Sequence, residues 1–181
     1  MFAHLGRRLR AMIAVAALSL GLVAAAGTPA NAAFWAFIEN FEGNPAATWW
    51  FEGGPGVFSD TNGFAHSGTH YADITRVQAG WTSVDHSLVL PSGLSRSCRA
   101  SAFFLGIGGP IVRIEIINPV DWTYVALGTF DLPETGQFQQ NTITWSGGPR
   151  NVVFRGVVIN PGSGAVRVKI DDVGVACNTF P

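Results

Sequence analysis

The sequence lacks the short motifs that mark common enzyme classes. It contains no G-x-S-x-G nucleophile elbow, no phosphate-binding loop and no HExxH zinc motif. It has only 2 cysteines in 181 residues, and neither is free to act as a nucleophile if they form a disulfide. Carboxylate pairs that hydrolyse glycosides depend on their spacing in three dimensions, and most acids here fall near predicted turns. We therefore expect a protein that is not an enzyme.

Positive charge is scarce after the first few residues. Arg7, Arg8 and Arg10 account for three of the 11 basic residues, and all 12 acidic residues follow them. The rest of the chain carries eight basic groups against 12 acidic ones, a net charge of −4, and has no basic cluster. This balance argues against a nucleic acid or an anionic membrane as the partner.

The N-terminal segment has the features of a secretory signal. The three arginines precede an apolar run over 11–26, and residues 30–32 read Ala-Asn-Ala, an A-x-A cleavage pattern. We expect a signal peptide over 1–32, a single domain over 33–181 and a secreted, extracellular monomer without a membrane anchor. A retained anchor is the alternative, but the apolar run is short for a membrane span. The arginine pair fits a twin-arginine signal, although the residues that typically follow are missing.

The two cysteines, Cys98 and Cys177, both follow the predicted cleavage site. In an exported protein an even pair most simply forms one disulfide. Closing so long a loop would stabilise the fold by roughly 4 kcal/mol in the chain-entropy model. Two buried free thiols are the alternative.

The rest of the chain has strand-like periodicity and no helical period. Turn residues recur roughly every ten positions between runs rich in Val, Ile, Phe, Thr and Trp, as in all-β sandwiches and barrels. No internal repeat or low-complexity linker interrupts this pattern. It predicts strands over 34–38, 49–51, 71–75, 81–90, 98–107, 111–117, 122–130, 138–145, 152–159 and 166–175.

A hairpin, IVRIEIINPVDWTYVAL, carries the candidate binding face. If Ile117 pairs with Trp122 across the NPVD turn, then Glu115 lies opposite Tyr124, and Arg113 lies on the same outward face. Two aromatic side chains beside a charged pair suit a sugar, which has apolar ring faces and a rim of hydroxyls. The alternative is a surface ion pair that covers aromatics capping the sandwich.

Two further segments carry polar side chains. Gln140, Thr142 and Thr144 would extend the hairpin face if their strand lies in the same sheet. The segment 66–73 places His66, His70 and Asp73 close together, but glycine and the strand-like YADIT argue against the helix that would align them for zinc. We interpret it as a turn that enters a strand.

The C-terminal stretch VKIDDVGVAC contains two adjacent acids in an otherwise apolar strand. Val168 and Ile170 share one parity, whereas Val173 and Val175 take the other, so the pleat shifts at the acids. One extra residue in a β-bulge produces such a shift.

Together, ENFEG at 39–43, the tryptophans at 49–50, AHSGTHYADI at 65–74 and VKIDDVGV at 168–175 resemble secreted carbohydrate-binding modules of the family 4, 9 and 22 type. This resemblance implies a galactose-binding-like jelly roll, a β-sandwich of two antiparallel sheets. It also implies a polysaccharide or oligosaccharide partner on the concave sheet face, where we place Arg113, Glu115, Trp122 and Tyr124.

The resemblance also implies a structural calcium ion. By analogy, Glu42 and Asp171 would supply carboxylates, and backbone carbonyls near Asn40 and Thr69 would complete an oxygen shell. Asp172 is the alternative to Asp171, and a solvated strand end without metal is the alternative to the site. We expect a non-catalytic carbohydrate-binding protein, or alternatively a structural or adhesive exoprotein that contacts the cell wall or other proteins. We expect no attached catalytic domain, in contrast to the family pattern that the resemblance implies.

Overall fold

The computed structural model describes residues 33–61, 64–92, 95–162 and 164–180. The predicted signal peptide, 1–32, lies outside the described residues and stays a prediction. A 3-10 helix spans Pro45–Ala47, and no helix in the described ranges is long and apolar enough to cross a membrane. The strands are β1 (Ala33–Glu39), β2 (Trp49–Glu52), β3 (Gly56–Ser59), β4 (Tyr71–Arg76), β5 (Gly80–Val89), β6 (Ser95–Ile107), β7 (Ile111–Ile117), β8 (Tyr124–Asp131), β9 (Gln139–Ser146), β10 (Asn151–Asn160) and β11 (Val166–Phe180).

The strands form two antiparallel sheets. The five-stranded sheet has the order β2-β5-β10-β7-β8, and the six-stranded sheet has the order β3-β4-β11-β6-β9 with β1 also paired to β11. Alternate side chains of each sheet pack into one shared core. Val112, Ile114 and Ile116 of β7 are fully buried there, as are Val168 and Ile170 of β11. The predicted fold class, an all-β jelly-roll sandwich, is confirmed.

The long strand β11 organises the six-stranded sheet. Along one edge it pairs with β4 from Val166 to Ile170 and with β1 from Val173 to Thr179, so these two strands follow each other end to end. Between the two pairings, the register against β6 shifts from Asp171 to Gly174. The parity change in the sequence is therefore a β-bulge, as predicted.

The disulfide is also confirmed. Cys98 of β6 lies directly opposite Cys177 of β11, and their sulfur atoms are bonded. Both residues are buried in the core.

One strand, β3, was absent from the sequence-based prediction. It covers Gly56–Ser59 and pairs with β4, with Phe58 packed against the core. Its four residues follow Pro55 and contain a glycine, and such composition is more typical of a turn than of a strand.

Candidate binding site on the five-stranded sheet

Charged side chains concentrate on the outward face of the five-stranded sheet. Arg155 of β10 lies opposite Asp85 of β5 on one side and opposite Glu115 of β7 on the other. Next to them, Glu52 of β2 lies opposite Ser83. An antiparallel ladder thus brings together residues that are distant in sequence.

Arg155 is the centre of this cluster. Its Nε donates to Asp85 at 3.2 Å, and its Nη2 donates to Glu52 at 3.2 Å and to Ser83 at 3.0 Å. Burial raises the pKa of Asp85 to about 6, and the nearby Ser83 hydroxyl and the charge of Arg155 offset part of this rise. The other carboxylate oxygen of Asp85, Oδ2, is buried and accepts no hydrogen bond among the described residues.

Glu115 lies between two guanidinium groups without touching either closely. Its Oε1 is 3.7 Å from Arg113 Nη1, and its Oε2 is 3.7 Å from Arg155 Nη1, both beyond hydrogen-bond distance. Burial raises the pKa of Glu115, and the two arginines act in the opposite direction. Arg113 Nε is buried and has no partner among the described residues. The polar groups around Glu115 therefore have unused hydrogen-bonding capacity.

A cavity of about 370 Å³ opens over these groups. Two aromatic side chains stand at its walls, Trp81 with 43% of its surface exposed and Tyr124 with 55%. The lining residues are Gly80, Trp81, Arg113, Glu115, Tyr124, Arg155, Val157 and Ile159. Flat apolar rings beside charged groups can hold a ligand that has both an apolar face and hydroxyl groups.

Neighbouring residues fix the orientation of Trp81. The Arg155 guanidinium lies 5.0 Å from the centroid of its ring. Gly53, at φ 73°, lies against the same ring, since a Cβ there would be 2.6 Å from ring atoms. Arg76 donates to the carbonyls of Gly53 and Trp81, at 2.9 and 2.8 Å. The indole is thus contacted by Arg155 and Gly53, and Arg76 holds the backbone beside it.

The structure brings together three of the four residues predicted for sugar binding. Arg113, Glu115 and Tyr124 line the cavity, whereas Trp122 does not. Trp122 lies in the turn of the hairpin, at φ 58°, with 53% of its surface exposed. Whether these residues bind sugar stays a prediction.

The predicted register of the hairpin was wrong. Ile117 pairs with Tyr124 and not with Trp122, and a bulge then places Leu127 opposite Glu115. The turn is longer than NPVD because Asn118 N donates to the Thr123 carbonyl and Asp121 accepts from Thr123. These bonds keep Trp122 out of the strand.

The predicted extension of this face was also wrong. Gln140, Thr142 and Thr144 lie on β9, which pairs with β6 in the six-stranded sheet. They therefore belong to the other layer of the sandwich and contribute nothing to the cavity.

Trp81 and Arg155 were not predicted as site residues from the sequence. A signal existed for both, because Arg155 is the single charged residue in the apolar strand NVVFRGVVIN, and Trp81, Ser83 and Asp85 share one parity of β5. A charged side chain in a strand that is otherwise buried needs a partner of opposite charge. Asp85, on the polar parity of β5, is such a partner.

A second polar cluster holds the loop 64–70 against the bulge of β11. Asp171 Oδ2 accepts from the backbone of His66 at 2.7 Å and Ser67 at 3.0 Å. Asp172, at φ 46°, pairs with the His66 ring at 2.5 Å and accepts from the Ser67 hydroxyl at 2.6 Å. Burial raises the pKa of Asp171 to about 6, against the hydrogen bonds that favour the charged form.

Glu42 anchors the other end of this loop. Its Oε1 accepts from the backbone N–H groups of Thr69 at 2.5 Å and His70 at 2.6 Å. Its Oε2 accepts from the Thr69 hydroxyl at 3.0 Å. The backbone hydrogen bond from His70, followed by that from Thr69, lowers the pKa of Glu42 to about 2.

The side chains predicted to bind calcium take part in hydrogen bonds with backbone N–H groups. Glu42 and Asp171 face N–H donors, while Asn40 Oδ1 accepts from Glu42 N at 3.4 Å. The two carboxylates bond different ends of the loop, and the part of the chain described here contains no group of three His, Cys, Asp or Glu side chains placed to hold a metal ion. Calcium binding by Glu42, Asp171 and the backbone carbonyls near Asn40 and Thr69 stays a prediction.

The histidines of the segment 66–73 have separate partners. His66 pairs with Asp172, His70 pairs with Glu42, and Asp73 pairs with Arg167. This agrees with the interpretation of the segment as a turn entering a strand.

Comparisons with known proteins find the same fold at low sequence identity. No family model and no curated protein matches the chain. A family 61 carbohydrate-binding module solved with β-1,4-galactotriose has a TM-score of 0.58 at 14% identity, covering 76% of this chain and 97% of that chain. The CBM22-1 xylan-binding domain of Paenibacillus barcinonensis Xyn10C has a TM-score of 0.56 at 10% identity, covering 80% and 95%. A family 35 module from Clostridium thermocellum has a TM-score of 0.51 at 17% identity, covering 78% and 97%.

These similarities establish the fold. They do not identify a ligand for this chain. The two-sheet sandwich and the coverage of nearly the whole of each module agree with the resemblance noted in the sequence. The chain has the jelly-roll fold of carbohydrate-binding modules.

Proposed function

We propose that this protein is a secreted, non-catalytic carbohydrate-binding protein, and that the cavity on the five-stranded sheet is its binding site. The observation that carries the proposal is the pair of exposed aromatic rings, Trp81 and Tyr124, beside Arg113 and Glu115. The rings offer stacking surfaces for the C–H faces of a sugar, and the charged groups offer hydrogen bonds to its hydroxyls.

The size of the site also supports this proposal. A cavity of about 370 Å³ lies within the range of small-ligand sites. Structural neighbours include a module solved with galactotriose and a xylan-binding domain. These two glycans are therefore suitable first ligands.

Retention on insoluble polysaccharides tests the proposal. The protein should be retained by at least one of galactan, xylan and cellulose, and Trp81→Ala or Tyr124→Ala should reduce its affinity several-fold, since each stacking platform contributes about 0.5–1.5 kcal/mol. Phe34→Ala is the matched control because it removes an exposed aromatic from the other sheet. Retention that the cavity variants leave unchanged would exclude this site.

An adhesive exoprotein is the second candidate. Phe34 and Ile38 of β1 are 70% and 79% exposed, which provides apolar surface for a protein contact. The K2 cleaved adhesin domain of Lys-gingipain shares the fold, with a TM-score of 0.52 at 15% identity, covering 78% of this chain and 99% of that chain. Failure to bind any polysaccharide, together with binding to cell-wall protein that Phe34→Ala abolishes, would favour this candidate.

Secretion, the monomeric state and calcium need experiments of their own. If the protein is secreted as expected, the exported form begins at Ala33. N-terminal sequencing of the exported protein tests this. A monomer should elute at its own mass in light scattering. A structural calcium ion is proposed from the family resemblance alone. A melting temperature lowered by chelation would support it, and an unchanged one would exclude it.

A further inference from the structure

A second cavity, of about 280 Å³, lies on the outward face of the six-stranded sheet. Its lining residues come from β1, β11 and β6, and none of them lines the first cavity, beside Trp81 and Tyr124. The two sheets of a sandwich pack through their inner faces, so their outward faces point in opposite directions. The two cavities therefore open on opposite sides of the molecule.

Small residues form the floor of the second cavity. In one row across the sheet, Ala36 of β1 lies opposite Ala176 of β11, which in turn lies opposite Arg99 of β6. In the next row, Gly174 of β11 lies opposite Ser101 of β6. A Cβ placed on Gly174 would be 3.5 Å from the Ser101 hydroxyl oxygen, its nearest neighbour, which is ordinary contact. The space above this floor is therefore open to a ligand.

Apolar side chains of β1 stand along one side of this floor. Phe34 is 70% exposed and Ile38 is 79% exposed, and both line the cavity. Most of the Phe34 side chain is therefore accessible from solution. Its ring can stack on the apolar C–H face of a sugar, as proposed for Trp81 and Tyr124 in the first cavity.

Hydrogen-bonding side chains lie on the other side of the floor. Arg99 is exposed and forms no ion pair among the described residues. On the neighbouring strand β9, the exposed Thr144 lies opposite Arg99, and the exposed Thr142 lies opposite Ser101. Hydroxyl groups both donate and accept hydrogen bonds, and a guanidinium donates several, which suits the hydroxyl rim of a sugar.

Charge in the second cavity is sparse and balanced. Its lining contains one cation, Arg99, and one carboxylate, that of Asp172. Asp172 already pairs with the His66 ring and accepts a hydrogen bond from the Ser67 hydroxyl. A strongly charged polymer therefore meets no cluster of opposite charge in this cavity, whereas a neutral saccharide finds both an apolar ring and hydroxyl partners.

Resting on the function proposed above, we propose that the second cavity is also a saccharide-binding site and that one copy of the protein joins two polysaccharide chains. One chain lies against Trp81 on the five-stranded sheet, and the other lies against Phe34 and Arg99 on the six-stranded sheet. Because the cavities face opposite ways, one sugar ring cannot occupy both. The protein then cross-links polysaccharides, which is a structural role beyond binding a single chain.

Light scattering of soluble polysaccharides tests this cross-linking. Protein added to soluble xylan or galactan should first raise the scattering and then lower it again in excess, when each binding position holds a separate protein molecule. The protein alone, at the same concentrations, should scatter as a monomer. A dimer with one site in each copy would cross-link chains in the same way, and its detection would overturn the inference.

Three variants assign the cross-linking to the second cavity. Phe34→Ala and Arg99→Ala should each weaken the second site several-fold and reduce the rise in scattering threefold or more. Both should stay bound to the polysaccharide through the first cavity, and Trp81→Ala should reduce the rise to a similar extent. Ile107→Ala is the matched control, because Ile107 is 49% exposed on the same strand as Arg99 and does not line the cavity.

Amide NMR shifts with galactotriose and xylohexaose separate the inference from the proposed function. We expect signals of Ala36 and Arg99 to shift as well as that of Trp81. A shift at Trp81 alone, or scattering that Phe34→Ala and Arg99→Ala leave unchanged, overturns the second site while the proposed function stands. Shifts at both sites without a rise in scattering overturn the cross-linking.

Two further outcomes concern the proposed function itself. Shifts confined to Ala36 and Arg99 would contradict the site on the five-stranded sheet, and the cross-linking would fail with it. If no signal shifts and no polysaccharide is bound, the proposed function fails, and this inference fails as a consequence.

Discussion

At the scale of single residues, the position of Trp81 depends on a glycine. Gly53 has φ 73°, and a Cβ there would be 2.6 Å from the indole ring and 2.8 Å from the Trp81 carbonyl. A side chain at this position is strained by the backbone and displaces the ring. The Arg155 guanidinium also lies over the Trp81 ring. Displacement of the ring therefore disturbs both Trp81 and Arg155, which line the cavity.

We therefore predict that Gly53→Ala weakens glycan binding several-fold and destabilises the protein by about 1–2 kcal/mol. Tryptophan fluorescence should shift in the free protein, and denaturant unfolding gives the change in free energy. Gly43→Ala is the control, because a Cβ there meets no atom within 4 Å. Equal glycan affinities and equal unfolding free energies for the two variants would contradict the role of Gly53.

Some of the cavity-lining residues could be predicted from the sequence alone. Arg113, Glu115 and Tyr124 were predicted from alternation within one hairpin, and they do line one cavity. Trp81 and Arg155 come from strands far away in sequence, and only the pairing of β10 with β5 and β7 places them there. Local periodicity contains no information on which strands become neighbours.

At the scale of elements, the loop 64–70 is held by carboxylates at both ends. The anchor at Glu42 depends on pH because backbone hydrogen bonds lower its pKa to about 2. A carboxylate whose folded pKa lies below its unfolded value stabilises the folded state fully above the unfolded value, near 4.5. This contribution is lost as pH falls from about 4.5 toward 2.

We predict that the amides of Thr69 and His70 lose hydrogen-exchange protection as pH falls through this window. Protection factors corrected for intrinsic exchange measure the effect. In Glu42→Gln the protection should be low at neutral pH already and should change little with pH. Protection that persists in this variant would show that the carboxylate does not anchor the loop.

The bulge in β11 could be predicted from the sequence, whereas the register of the β7–β8 hairpin could not. The bulge at Asp171 and Asp172 was predictable because an extra residue changes the parity of every side chain that follows. The hairpin register was not, because the hydrogen bonds of Asn118 and Asp121 lengthen the turn and force Trp122 to a positive φ. Turn conformation depends on such local bonds, and hydrophobic alternation does not report them.

At the scale of the whole molecule, one covalent bond joins the two central strands of the six-stranded sheet. Cys98 and Cys177 are separated by 79 residues, so the bond closes a long loop in the unfolded chain. We predict that the Cys98→Ala/Cys177→Ala variant loses roughly 4 kcal/mol of unfolding free energy. Denaturant unfolding measures this loss, and reduction of the native protein should reproduce it. A loss below 1 kcal/mol would contradict the prediction.

The fold class was predictable at this scale for a physical reason. A chain with short apolar alternations and frequent turn residues has few stable arrangements other than two packed antiparallel sheets. The distribution of strands between the sheets was not predictable, as β9 demonstrates by pairing with β6 in the layer that lacks the cavity. Assignment to a layer depends on long-range pairing.

The central claim is that a saccharide binds on the five-stranded sheet against Trp81. The most direct measurement is a titration of the tryptophan indole N–H signals by NMR, with galactotriose and xylohexaose as ligands and Trp81→Ala to assign the signal. We expect the Trp81 signal to shift with saturation, whereas that of Trp145, buried in the core, does not. A shift confined to Trp122, or no shift with either ligand, would exclude saccharide binding at Trp81.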